Sequence, residues 1–332
     1  MIDKNKPAIG VLFTSTAKTN RSVPFKSKSH SRVHSIFSKR AERYGLNVFY
    51  AHHKEYKNGL LKRCWYNYNG RWRLAENQMI DVVYSRFAAT MYKGNKKDRA
   101  AERFKYRMAK QVSMINHPII DDFCWDKRIV ADMFPKHSPR TFVVNTERGL
   151  ETVLPEIKSE KVVIKPRYGT LGKNVKIVDK KKIPKNIEKN TIVQEFIDTS
   201  EGVKGVTDGM HDMRLFMING QLDHAHIRIP KKGSLTANVA LGGKKVFINN
   251  EHIPKRAAEI AKKVDKIFCN FHPRIFSVDF LFDSNGKPYI VECNSQPMID
   301  KYAFGKYANI SFYDRVIEAL KSGIRVKISN KY

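Results

Sequence analysis

The chain has 332 residues, 42% of them hydrophobic and 28% charged, which suits a sizeable buried core and a globular rather than a disordered chain. Its 62 Lys and Arg against 32 Asp and Glu give a formal net charge of +30. That balance favours an anionic partner (nucleotide phosphates, an acidic peptide, RNA or a polyanionic surface), although lysines spread over almost every segment also serve plain solubility. No run reaches the roughly 20 apolar residues of a membrane span, residues 1–6 are polar, and the dispersed Cys64, Cys124, Cys269 and Cys293 form no C-x-x-C pair. A reduced, cytoplasmic protein without structural zinc is expected.

In chain order, a strand over 8–13, a polar loop over 14–28, a helix over 31–44 and a strand over 47–50 come first. Residues 60–74 alternate apolar and polar around Asn69-Gly70, a hairpin pattern. A strand at 81–84 then leads into a basic helix near 98–114. The segment 93–110 carries eight basic residues against Asp98 and Glu102. A short helix after Asp126 stops at Pro135. Strands follow at 142–145, 162–165, 174–178 and 192–196, with a helix near 147–158. The last third predicts strands at 213–218 and 221–229 joined by Asn219-Gly220, a helix at 254–269, strands at 275–282 and 287–293, and a helix at 311–321. Hairpins mixed with helices predict an α+β protein with a small α/β N-terminal subdomain. The expected division is 1–120, 121–197 and 198–332.

Two stretches carry chemistry. In "VVIKPRYGTLGKNVKIV", Lys165 follows three β-branched residues, so apolar surroundings hold its stem and aim its ammonium at one place. A lysine at a strand end ordinarily snorkels to water. Here Gly169 and Gly172 follow, in a loop whose backbone N–H groups suit close approach to phosphate oxygens. In "FSVDFLFDSNGKPYIVECNSQP", Asp279 lies on one strand of a predicted hairpin and Glu292 and Asn294 on the other. Glu292 and Asn294 share a sheet face, Cys293 points away, and the oxygen-only set suits Mg²⁺ completed by phosphate and water. Between these stretches, Arg214 and Arg228 fall on adjacent strands where both would reach a developing phosphate charge. Asp212 beside Arg214 reads equally as an ion pair. His224 and His226 share a strand face without a third soft ligand and read as packing or rim residues.

Taken in order, Asp126-Lys127, "VVIKPRYGTLGKNV", "IVQEFI", "DMRLFMINGQ", "IR" followed by "TANVALGG", and "VDFLF…YIVECN" resemble the ATP-grasp superfamily over roughly 120–325, near the glutathione-synthetase-like and ribosomal-protein-S6-modifying-type ligases. "IGVLF", "GLLKRCWYNYNGRWRL", "IDVVYSRF" and "INHPIIDDFCWDKRIVADMF…SPRTFVV" look like the endospore coat-associated YheC/YheD branch. The resemblance implies a fold in which two antiparallel sheets clamp ATP. It gives the lid subdomain to 121–197 and the Mg²⁺ site to 198–332. By matching positions, Lys127 and Lys165 would hold the α/β-phosphates, and Gly169, Thr170, Gly172 and Lys173 would close over the triphosphate. Gln194, Glu195, Phe196 and Ile197 would receive adenine, with Asp212 near the nucleotide. Asp279, Glu292 and Asn294 would ligate Mg²⁺, with Glu292 bridging two ions, and Arg228, Asn238 and Arg214 would face the transferred phosphate.

The activity so implied is Mg·ATP-dependent carboxylate–amine ligation through an acyl phosphate, on an acidic peptide, a protein tail or an amino-acid-like substrate. The turn Ser295-Gln296-Pro297-Met298 departs from the small residue, Pro and Gly that commonly follow the Asn, which leaves the amine open. Two alternatives stand beside this: a non-catalytic nucleotide-binding assembly protein, and a basic nucleic-acid-binding protein motivated by the charge alone.

Overall fold

The computed structural model describes residues 2–87, 96–169, 174–183, 186–235, 237, 242–297 and 306–329. The chain divides into two units. One holds Met1–Ile120, Phe268–Ile275 and Gln296–Tyr332, and the other Asp121–Ile267 and Phe276–Ser295.

In the first unit, the apolar run β1 (Ala8–Phe13) is buried along nearly its whole length because strands flank it on both sides. Helix α1 (Lys28–Arg43) starts where the Ser27 hydroxyl accepts from His30 N, and buries Val33, Phe37 and Ala41 on one stripe. It leads to β2 (Asn47–His52), parallel to β1. Short β3 (Tyr56–Lys57) pairs with β4 (Leu60–Tyr68), and β4 with β5 (Arg71–Met79). Asn69 and Gly70 both have positive φ (48° and 78°), as the two-residue hairpin turn requires. Strand β6 (Val82–Ser85) returns to the other side of β1, followed by α2 (Lys96–Ala109) and β7 (Ser113–Ile115). The sheet order is β3-β4-β2-β1-β6-β7, with β5 on β4.

In the second unit come α3 (Pro118–Trp125), which begins in the first, α4 (Lys127–Met133), β8 (Thr141–Val144) and α5 (Glu147–Val153). The helix predicted near 147–158 ends at Val153 and continues as a 3₁₀ turn through Pro155, which has no N–H to donate. Strands β9 (Lys161–Pro166), β10 (Lys176–Asp179) and β11 (Thr191–Glu195) complete an antiparallel sheet of order β10-β9-β11-β8. Its core is Val144, Leu150, Ile157, Val162, Ile164 and Val193. Val162 and Ile164 face that core, so strand alternation sends Lys165 to the other face.

The second sheet of this unit has order β14-β13-β12-β15-β16, from β12 (Asp212–Ile218), β13 (Gln221–Ile229), β14 (Lys244–Ile248), β15 (Ile275–Phe282) and β16 (Pro288–Asn294). Helix α6 (Lys255–Ile267) lies between β14 and β15 in sequence. It buries Ala257, Ile260, Ala261 and Val264, spaced at i, i+3, i+4 and i+7, and packs on β12 and β13.

The last helix, α7 (Lys306–Ser329), is longer than the expected 311–321 and joins the first unit. There Phe312, Tyr313, Val316, Ile317 and Leu320 are buried, Tyr313 meets Phe37 edge-on, and Arg40 pairs with Asp314. Strands β7 and β14 and helix α3 are not foreseen by the sequence patterns. The two strands are short or exposed, and "PIIDDFCW" is too short and too uniformly apolar to show a helical period. Among the described residues no helix is long and apolar enough to cross a membrane.

Candidate active site

The second unit gathers most of the expected site residues. Asp126 caps α4 by accepting from Arg128 N at 3.0 Å, which places Lys127 at the first helical position. Arg167 grips the same carboxylate through two nitrogens, with distances of 2.6–3.0 Å, and lies over the Tyr168 ring. Lys127 Nζ donates to Gly169 O at 2.8 Å, fastening α4 to the start of the glycine loop. Gly169 has φ 136°, a conformation that side chains disfavour. Thr170, Gly172, Lys173 and Asn238 lie outside the described residues.

Lys165 is buried. Its Nζ donates to Gln194 Oε1 at 2.8 Å and lies 3.5 Å from Val291 O, while Gln194 Nε2 donates to Thr141 Oγ1 at 2.7 Å. The sheet thus orients this ammonium without neutralising it. Burial, and secondarily the nearby Lys127 charge, pull its pKa down to about 8, against the opposing pull of Glu292 and Asp279. Burial lowers Lys127 as well, with Glu292 and Asp126 opposing. Farther along β11, Glu195 Oε1 accepts from Lys158 N at 3.1 Å and Phe196 N donates to Ser159 Oγ at 3.1 Å; Ile197 is buried and makes no hydrogen bond among the described residues.

On the second sheet, Asp279 stands opposite Glu292 and Ser277 opposite Asn294, so all four share one face. Asp279, 1% exposed, accepts from Arg214 Nε on Oδ1 and Arg214 NH2 on Oδ2, both at 2.6 Å, and from Arg228 NH2 on Oδ2 at 2.7 Å. Burial pushes the Asp279 carboxyl up, but the two guanidiniums outweigh it and hold it below the usual carboxylate range. Arg228 Nε also pairs with Asp212, its cross-strand neighbour. The partner suggested by sequence proximity, Arg214 for Asp212, is therefore corrected. Asp212 pairs with Arg228 because residues opposite each other across antiparallel strands approach more closely than residues two apart on one strand, and Arg214 turns to Asp279 instead. Burial raises Asp212 to about 6 despite Arg228.

The Glu292 side chain makes no hydrogen bond or ion pair among the described residues. Among the described residues Asn294 Nδ2 and Ser277 Oγ are buried without a partner. The Glu292 and Asp279 carboxylates and the Asn294 amide oxygen, on one sheet face, form a hard oxygen donor set that fits a small divalent cation. Among the described residues no three His, Cys, Asp or Glu side chains form a metal cluster. His224 and His226 are packing residues, stacked on or tilted against Phe216.

Sequence reasoning missed the Arg167–Asp126 clamp, the Thr141–Gln194–Lys165 relay and the Ser295 hydroxyl donating to Asp121. The one available signal was Asp126 as a helix cap before "KRIVADM"; the other partners are distant in sequence.

A family model described as a RimK-like ATP-grasp domain matches residues 131–320. The chain belongs to this RimK-like ATP-grasp family. It is 29% identical over 199 residues to a probable alpha-L-glutamate ligase of Legionella pneumophila (strain Corby), covering 58% of this chain and 60% of that protein. It is 27% identical over 201 residues to one of Psychromonas ingrahamii, covering 58% and 61%. The chain thus spans about three fifths of the length of the curated relatives it matches.

Among solved structures, D-cycloserine synthetase DcsG superposes with a TM-score of 0.62 at 13% identity, over 94% of this chain and 99% of that one. The ATP-grasp ligase PsnB, complexed with a phosphomimetic variant of minimal precursor, Mg and ADP, gives 0.61 at 12%, over 96% and 100%. The D-alanine–D-alanine ligase of Bacillus anthracis complexed with ATP gives 0.59 at 11%, over 98% and 99%. At these identities the likeness shows the ATP-grasp fold. Of the segments that look like the coat-associated branch, those up to Val130 lie outside the matched region, and residues 131–144 lie inside it.

Proposed function

We propose that the chain is a Mg·ATP-dependent carboxylate–amine ligase working through an acyl phosphate on a peptide or amino-acid-like substrate. The observation that carries this reading is the pair of lysines, buried Lys165 and half-buried Lys127, both held below their usual pKa by burial with the Glu292 charge opposing. Such an arrangement is unfavourable by itself and becomes favourable around a polyphosphate with its cation. Lys127 and Lys165 would hold the α/β-phosphates, the loop from Gly169 through Thr170, Gly172 and Lys173 would close over them, and Gln194, Glu195, Phe196 and Ile197 would receive adenine.

Asp279, Glu292 and Asn294 would ligate Mg²⁺, with Glu292 shared between two ions; the metal would supply charge neutralisation between a substrate carboxylate and the triphosphate. Arg228, tethered by Asp212, would stabilise charge developing on the transferred phosphate, with Arg214 and Asn238 beside it. A substrate carboxylate oxygen attacks the γ-phosphorus as the bond to ADP breaks. An amine then attacks the acyl phosphate, loses a proton and displaces phosphate, leaving an amide. No side-chain nucleophile is needed.

The name of the relatives makes an L-amino acid such as glutamate the first amine to test. For the acceptor we infer an acidic peptide or protein tail. Supporting this, Arg103, Arg107 and Lys110 on α2 and after it line an open cavity of about 400 Å³ with Tyr106 and Glu102. The deciding experiment measures ADP and phosphate release with Mg·ATP across pools of amino acids and acidic peptides. Release that requires a carboxylate–amine pair supports the ligase. ATP binding without release under any pool would favour the assembly role that the coat-associated likeness suggests. Steeply salt-dependent RNA binding indifferent to ATP would favour the nucleic-acid reading.

A further inference from the structure

We infer that Arg214 and Arg228 set the metal selectivity of the site, by leaving Asp279 a single bond to give. This rests on the proposed metal role of Asp279. An ionised carboxylate offers about four acceptor positions on its two oxygens. In Asp279 three are taken: one on Oδ1 by Arg214 Nε, and two on Oδ2 by Arg214 NH2 and Arg228 NH2, at 2.6–2.7 Å. At 1% exposure, Asp279 leaves solvent little room to compete for these positions. Among the described residues the one position left lies on Oδ1, so Asp279 offers a cation one oxygen only.

Small, six-coordinate Mg²⁺ is satisfied by single oxygens from few protein groups. Ca²⁺ takes six to eight oxygens at longer distances and commonly uses a carboxylate through both. The paired guanidiniums therefore discriminate against Ca²⁺ without touching the metal.

The two arginines are not equivalent. Arg228 is also held by Asp212, whereas Arg214 directs both Nε and NH2 to Asp279. Replacing Arg214 with Lys keeps the charge and loses the planar fork, freeing at least one oxygen position. The lysines around Glu292 supply the contrast: Lys127→Met removes a positive charge from the site but leaves the Asp279 clamp intact.

The test is competition of Mg²⁺ and Ca²⁺ against bound Mn²⁺, read by the electron paramagnetic resonance of Mn²⁺, on the full chain with ADP present. The discrimination between Mg²⁺ and Ca²⁺ is expected to fall on the order of tenfold in Arg214→Lys and by less in Arg228→Lys. In Lys127→Met both affinities are expected to move together, leaving the ratio unchanged. An unchanged ratio in folded Arg214→Lys and Arg228→Lys, or an equal fall in Lys127→Met, overturns the inference and leaves the ligase reading standing. Absence of Mn²⁺ binding by the wild-type chain with ADP overturns both.

Discussion

Lys165→Met offers the sharpest check on the buried lysine, because it removes the ammonium while nearly conserving side-chain volume. Lowering the lysine pKa from 10.5 to about 8 corresponds to about 3 kcal/mol of strain in the charged form. The substitution also removes the donor to Gln194 Oε1 and leaves that buried acceptor unpaired, at a cost of about 1–2 kcal/mol. At pH 7 the variant is therefore expected to be as stable as the wild type or more so, by on the order of 1 kcal/mol. The pH dependence separates the two contributions. Unfolded, the lysine keeps its proton up to about 10.4; folded, it releases it near 8, so across that window the unfolded state binds more protons and wild-type stability rises with pH. The relief is complete above the unfolded pKa and lost as pH falls through the folded one.

Urea unfolding of both proteins between pH 7 and 10 should show the wild type gaining about 2 kcal/mol relative to the variant. A difference flat across that range would refute the strained-ammonium reasoning. If the lysine receives phosphate, nucleotide binding near pH 8–9 should take up a proton, which calorimetry in buffers of different ionisation enthalpy detects.

Three further outcomes are expected. Glu292→Gln should abolish ADP release while unfolding free energy stays within about 0.5 kcal/mol, since the side chain makes no bond among the described residues; full turnover would remove Glu292 from the metal set. Arg167→Ala should lower thermal stability by about 2–3 kcal/mol by leaving the Asp126 carboxylate, 6% exposed, without its cation, and an unchanged melting temperature would contradict that. Leu320→Ala should cost about 2–5 kcal/mol in urea unfolding, because its fully buried side chain belongs to the core that α7 shares with α1 and the first sheet. A loss below about 1 kcal/mol would mean α7 contributes little to that core.

Much of the fold was legible in residue order. Alternation and turn chemistry located β1, the β4–β5 hairpin at Asn69-Gly70, the β12–β13 turn at Asn219-Gly220 and the β15–β16 hairpin, because strand period and left-handed turn residues are local properties. The same period put Glu292 and Asn294 on one face, whereas the face of Lys165 followed only from the core of β9.

The sequence by itself therefore determined which side chains could carry charge to a common face. Tertiary structure decided how those charges are paired. Asp212 goes to Arg228 across a strand pair, Arg214 goes to Asp279, 65 positions away, and Arg167 returns to Asp126, 41 positions back. It also took α7, at the end of the chain, into the core of the first unit. Coulomb energy and desolvation depend on distance and burial in space, and no spacing along the chain encodes either.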